Sequence, residues 1–192
     1  VAVQKVRSPV GVEAWLVGCG WSEEGAEQRF GPILESGVPL VIDADALRYL
    51  PKRLPEGSLL TPHAGELAEL LGISRPEVED DPVGQAYEAA ERWETTVLLK
   101  GATQYIANPF EKRVTLAIAG PSWTAQAGSG DVLAGICGTL LAAGLPAPKA
   151  AALAASVQAM AAARKSGPFP PDVVAQAIPE VLVHLAELGD QP

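Results

Sequence analysis

Residues 39–72 read PLVIDADALRYLPKRLPEGSLLTPHAGELAELLG. Two apolar runs, Pro39–Ile42 and Ser58–Leu60, are too short for helices and end in polar or turn-forming residues, so both predict buried strands. Between and after them, Ala44–Leu50 and His63–Leu71 carry apolar residues at helical spacing. Strand, helix, strand, helix is the rhythm of a parallel sheet. Working outward, Glu13–Val17 and Thr96–Leu99 add two strands, and Ser22–Ser36 and Glu77–Trp93 add helices. The pattern then changes: TQYIANP and EKRVTLAIAG are rich in strand formers and flank an Asn108–Pro109 turn, which predicts an antiparallel β-hairpin at one edge of the sheet. The last third is Ala-rich, with helices expected at Ser129–Ala143, Pro148–Arg164 and Pro171–Leu188. The fold class that follows is α/β, a three-layer α/β/α sandwich with a mostly parallel sheet, read as one unit over residues 1–192.

Composition narrows the function. Hydrophobic residues make up 48% and mean hydropathy is +0.16, enough apolar side chain to close a core and too much for a disordered chain. Fourteen basic against 23 acidic residues give a net charge of −9 and a pI near 4.7, which argues against nucleic acid or an anionic membrane as partner. An anionic substrate therefore needs locally concentrated positive potential. Cys19 and Cys137 lie far apart with no metal-cage spacing, as expected of reduced thiols in a cytoplasmic protein. The N-terminal stretch lacks the apolar core of a secretion signal, and Val132–Pro148 is too short and too broken by Gly and Pro to span a bilayer.

The sharpest chemical signal is Ala127-Gly128-Ser129-Gly130-Asp131, joining the hairpin to an apolar helix. Small residues let backbone amides face open space at a helix N-terminus, where the macrodipole favours anions. Gly128, Ser129 and Gly130 are thus candidates for an anion hole. Asp131 beside them is a candidate base for a hydroxyl attacking phosphorus; the structural alternative is a simple helix-capping acid. No GxxxxGK[ST] loop is present. Thr61-Pro62-His63-Ala64-Gly65-Glu66 follows a strand, at the edge where open parallel sheets bind ligands. It also reads as helix-start grammar, with Thr61 as cap and Pro62 in the first turn. His63 would donate to a ligand, Glu66 would hold a magnesium water, and His184 reads as a surface or packing residue. Lys100 leaves a buried strand beside Gly101, a place for a phosphate contact or a solvated amine. Asp43 and Asp45 end another strand, either as magnesium or pocket acids or as a cap. Gly18-Cys19-Gly20 is a tight turn.

In this order, VIDADAL, LLTPHAGELAELLG, VLLKGAT and AGSGDVLAGI resemble the NAD(P)H-hydrate dehydratase family, over essentially all of residues 13–165. The resemblance implies a ribokinase-like fold and a lyase that uses ADP, or ATP, with Mg2+ to repair hydrated NADH and NADPH (NADHX and NADPHX). The C6 hydroxyl is phosphorylated, and loss of phosphate restores the double bond. It implies Asp131 as the base, and a nucleotide site for the AMP portion at Lys100, Gly101, Ala102, Thr103, Gln104 and Gly130. Gly20, His63 and Asp131 then line the substrate pocket, and Glu66 acts on the metal through water. It further implies a homotetramer in the cytoplasm, with an NAD(P)HX epimerase working alongside.

Two loops depart from the pattern: Gly18-Cys19-Gly20-Trp21-Ser22 stands where the family reads GPGLG, and Gly120–Gln126, GPSWTAQ, stands where it reads GNPGMAT. The family's domain also carries a further βαβα portion before the position of Val1, so the expectation is a domain lacking its N-terminal part. The competing readings are a hydroxymethylpyrimidine or thiazole kinase of the same fold, which would use the same Asp131, and a fragment that only binds nucleotide.

Overall fold

The computed structural model describes residues 11–21, 26–118 and 120–189. A six-stranded sheet runs in chain order: β1 (Trp15–Val17), β2 (Leu40–Ile42), β3 (Leu59–Leu60), β4 (Thr96–Leu99), β5 (Thr103–Asn108) and β6 (Arg113–Ile118). The first four strands are parallel; β5 and β6 form the antiparallel hairpin expected at the edge, with Asn108 opposite Arg113 beside its turn.

Strand alternation divides the core. Leu40, Ile42, Leu60, Val97, Leu99 and Ala107 face one side, and Val41, Leu59, Leu98, Ile106 and Ala117 face the other. Both faces are covered, so the strands read as unbroken apolar runs. The monotonic order β1 to β4 explains how they are covered. Right-handed crossovers that advance in one direction put every crossover on the same face. That face carries α1 (Ala26–Leu34), a 3-10 turn at Ala44–Tyr49, α2 (Ala64–Leu71), α3 (Arg75–Asp80) and α4 (Pro82–Arg92), which contribute Phe30, Leu47, Leu67, Val78 and Ala89 to the core. The opposite face falls to the C-terminal third, where α5 (Ser129–Ala142) and α6 (Ala147–Ala163) pack on the sheet and α7 (Pro171–Gln176) and α8 (Ile178–Gly189) pack on α6. Three layers result, as expected.

Two helices expected to be continuous are broken, and a third is not an α-helix. The Glu77–Trp93 stretch is two helices, broken where Asp81 precedes Pro82 and is forced out of the helical region (φ −133°, ψ 67°). Pro171–Leu188 likewise divides at Ala177, with Pro179 in the first turn of α8. Ala44–Leu50 is a 3-10 segment entered through Ala44 at φ +48°, a sharp turn that no α-helix start requires. The first part of the expected Ser22–Ser36 helix, residues 22–25, lies outside the described residues.

Candidate functional site

The parallel strands deliver their next residues to one edge through a staircase of backbone bonds. The Asp43 N–H donates to the Val17 carbonyl at 3.0 Å, Thr61 N–H to Ile42 at 3.0 Å, and Lys100 N–H to Pro62 at 2.8 Å. Gly18, Asp43, His63 and Lys100 therefore stand side by side at the carboxyl ends of the strands, where open α/β sheets bind ligands. Gly18 has no alternative there. At φ +111° a Cβ would lie 1.7 Å from the Asp43 carbonyl oxygen.

The centre of the edge is charged and largely buried. The Lys100 ammonium donates to Asp43 Oδ1 at 2.5 Å and sits 3.7 Å from Glu66 Oε2; Asp43 is 2% exposed and the Lys100 side chain 17%. One cation thus joins the ends of β2 and β4 and the start of α2. The Cys19 thiol donates to the other Asp43 oxygen, Oδ2, at 3.9 Å. One ligand atom each from Cys19, Asp43 and Asp131 lies within 4.8 Å of the others. Burial, then the Asp43 carboxylate, then Asp131 push the Cys19 thiol up to about 12, so it stays protonated and acts as a donor.

The first turn of α5 closes the site from above. Gly128 takes the N-cap position at φ +86° with no side-chain cap, so the first-turn amides are not consumed by a capping oxygen. Among the three residues expected to form the anion hole, the Ser129 N–H already donates to the Gln126 carbonyl at 3.1 Å. The amides of Gly130 and Asp131 have no such loop partner. Gly130 lies directly over the ion pair, since a Cβ there would meet Lys100 Nζ at 3.4 Å and Asp43 Oδ2 at 3.7 Å. Asp131 is exposed beside it.

The other expected residues fall as follows. His63, not Thr61, is the N-cap of α2: its Nδ1 accepts from the Glu66 N–H at 3.1 Å, and Glu66 Oε2 accepts from the His63 N–H at 2.7 Å, a reciprocal capping box. Thr61 is fully buried, and its hydroxyl and amide both turn to the Ile42 carbonyl, which prevents it from capping. With Nδ1 accepting, neutral His63 carries its proton on Nε2, a donor on a side chain that is 59% exposed. Gly20 lies at φ +67° in the turn closed by Trp21 N–H to Gly18 O. Gly101 and Ala102 are exposed at the β4–β5 link, and Thr103 opens β5. Gln104 is buried, and its Oε1 has no hydrogen-bond partner, which makes it an acceptor waiting for a donor. The Lys100 ammonium turns to the Asp43 and Glu66 carboxylates. His184 is exposed on α8. Beside His63 and Glu66 opens a groove of about 560 Å³, walled by Leu47, Leu50, Leu70 and Trp93.

Two contributors escape a reading by motif. Cys19 is legible only as a tight-turn residue until Asp43 and Asp131 are placed next to it. Gln158 on α6 donates to Ser129 at the head of α5; its one signal is being a single amide within an alanine run.

Comparisons with known proteins bear on the family and the fold. A bifunctional NAD(P)H-hydrate repair enzyme (Nnr) from Mycobacterium leprae is 44% identical over 172 residues, covering 84% of this chain and 35% of that protein. The crystal structure of the ADP/ATP-dependent NAD(P)H-hydrate dehydratase from Bacillus subtilis, co-crystallised with ATP and Mg2+, is 26% identical at a TM-score of 0.77, over 90% of this chain and 64% of that one. A ribokinase-like superfamily protein from Enterococcus faecalis shares the fold at a TM-score of 0.78 and 22% identity, over 90% of this chain and 63% of the other. The chain spans about a third of the length of the first curated relatives it matches. No helix among the described residues is long and apolar enough to cross a membrane. Residues 4–182 match the Carb_kinase family, described as NAD(P)H-hydrate dehydratase, and with a ribokinase-like sheet edge carrying all four ordered motifs the chain belongs to that family.

Proposed function

We propose that this chain carries the catalytic centre for nucleotide-dependent dehydration of (S)-NADHX and (S)-NADPHX, with ADP as phosphoryl donor. The observation that carries the reading is the exposed Asp131 carboxylate beside the open first-turn amides of α5, directly above the Lys100–Asp43 pair. Asp131 takes the proton from the C6 hydroxyl as its oxygen attacks the terminal phosphorus. The bond from that phosphorus to the bridging oxygen breaks, and AMP leaves. Charge on the transferring group is met by the Gly130 and Asp131 amides and by the positive end of the helix. Phosphate then departs from C6 with its bonding electrons, a proton is lost from C5, and the ring double bond returns. In this reading His63 Nε2–H, 3.6 Å from Glu66 Oε1, donates to substrate, and the adjoining groove gives the dinucleotide room.

Lys100 offsets the Asp43 and Glu66 carboxylates beneath the α5 turn, and the positive potential that an anionic nucleotide needs in a chain of net charge −9 comes from the open first-turn amides of α5. Gly101 to Gln104 and Gly130 hold the AMP portion, and the unpartnered Gln104 Oε1 suits a ligand donor. Magnesium fits Glu66 through water: each carboxylate oxygen keeps a lone pair beyond its capping contacts. Bound there, the ion would neutralise phosphate charge. The same proposal includes a homotetramer, a cytoplasmic setting and an epimerase acting alongside.

The test is recovery of absorbance at 340 nm from chemically hydrated NADH with Mg2+ and ADP or ATP, comparing the chain with Asp131→Asn. Nucleotide-dependent recovery that falls by about 100-fold or more in the variant, with free phosphate and AMP from ADP, or ADP from ATP, as products, supports the reading. A stable phosphorylated product, or full activity in the variant, overturns it.

A further inference from the structure

Helix α6 buries a face of alanines and Val157, and Gln158 is the one amide side chain on it, 8% exposed. Its Nε2 donates to the Ser129 carbonyl at 2.7 Å and lies 3.3 Å from Ser129 Oγ. That carbonyl belongs to the first residue of α5, where it already faces a helical N–H and has a second lone pair to offer. A core position otherwise kept apolar thus spends its polar group on a single peptide unit.

We propose that Gln158 is a positioning residue for phosphoryl transfer, acting through the Ser129–Gly130 peptide; the proposal rests on the reading of the α5 N-terminus given above. The carbonyl of Ser129 and the N–H of Gly130 are the two ends of one planar trans group, so fixing the carbonyl toward α6 aims the N–H the opposite way, into the site. Donation to the carbonyl also polarises the group and strengthens the same N–H as a donor. Beyond the helical N–H that the carbonyl accepts, no side chain of the turn itself fixes that plane. Gly128 has no side chain, the N-cap makes no side-chain bond, and the Ser129 hydroxyl is drawn to Gln158 as well. Gln126 secures the loop before Gly128, through the Phe169 carbonyl at 2.6 Å and the Trp123 carbonyl at 3.3 Å, and does not reach the Ser129–Gly130 unit.

The experiment uses the full chain labelled with 15N and two variants of similar size, Gln158→Met and Gln158→Leu, each of which removes the donor. The Gly130 amide resonance is followed alone and during titration with inorganic phosphate, and turnover is measured in parallel. The expected result is an upfield move of the Gly130 amide proton in both variants and a loss of phosphate affinity of about fivefold or more. With it, kcat falls about tenfold or more while KM for the dinucleotide hydrate changes by less than about twofold. Packing damage alone would lower the melting temperature without moving the phosphate response of one amide. If one variant fails to fold, the other carries the test. An unchanged Gly130 response in a folded variant overturns the proposal while leaving the anion site standing; a wild-type Gly130 amide that ignores phosphate and ADP overturns both.

Discussion

Replacing Lys100 by Met keeps the length of the side chain and removes its charge, which leaves Asp43 facing two other acids with no cation between them. At 2.5 Å and an effective dielectric near 20, the Lys100–Asp43 attraction is about 6 to 7 kcal/mol, much of it offset by desolvation of both groups. The asymmetry matters more than the pair's net worth. Asp43 is 2% exposed, so the variant strands a buried carboxylate, and breaking a buried pair from one side costs about 3–5 kcal/mol. Because the ammonium is 17% exposed, we expect the low end, about 3 kcal/mol, or a fall in Tm of roughly 6–12 °C for a chain of this size. Asp43→Asn should cost less, since Lys100 keeps Glu66 at 3.7 Å. The double variant should recover at least about 1 kcal/mol of the sum of the singles. Urea unfolding of all four proteins gives the cycle. A loss below about 1 kcal/mol in Lys100→Met, or strict additivity, would refute the view that the cation braces the sheet edge.

Other outcomes follow from the same geometry. Gly18→Ala, with its Cβ forced to 1.7 Å from the Asp43 carbonyl oxygen at φ +111°, should destabilise by more than about 3 kcal/mol in urea unfolding, whereas Gly20→Ala has open space around it and should cost about 1 kcal/mol. Cys19 and Cys137 are both held near 12 against an ordinary value of 9, chiefly by burial, so iodoacetamide at pH 8 should label them about a thousandfold more slowly than in the unfolded chain, as read by mass spectrometry. Raised thiol values favour the protonated fold, so this contribution is intact below pH 9 and is lost as the pH climbs from 9 toward 12 and the unfolded chain ionises first; a melting temperature flat across that window would contradict it. Gln104→Leu removes an unpaired buried acceptor and should leave Tm unchanged or higher, while calorimetry shows weaker ADP binding.

The layers were legible because a strand buried on both faces leaves an unbroken apolar run, as in Leu40–Ile42 and Thr96–Leu99, and no partner need be known to see it. Helix ends set by Gly or Pro were legible for α5 and α6 to within a residue. Breaks such as Asp81–Pro82 were written in the sequence but overruled in the reading by a continuous helical spacing on both sides. The site was legible as segments and not as bonds. Lys100 and Asp43 are 57 residues apart, and local context offers Lys100 solvent or phosphate as readily as a buried carboxylate. His63 was expected as a ligand donor, whereas its capping of α2 depends on the backbone angle at which it leaves β3. Gln158 reaches Ser129 only once α6 lies across the sheet, so no spacing rule within α5 announces it.

The brace at the sheet edge also has a bearing on biosynthesis. Its two halves emerge from the ribosome 57 residues apart, and the glycine turn that lies over it follows the lysine by some thirty positions more. During synthesis the β2 end therefore carries an acid without its cation for a long stretch of chain, and Gln158 arrives later still. A nascent polypeptide that ends after β3 lacks both the lysine and the α5 turn above it, so the proposed anion site is assembled only after α5 has been made.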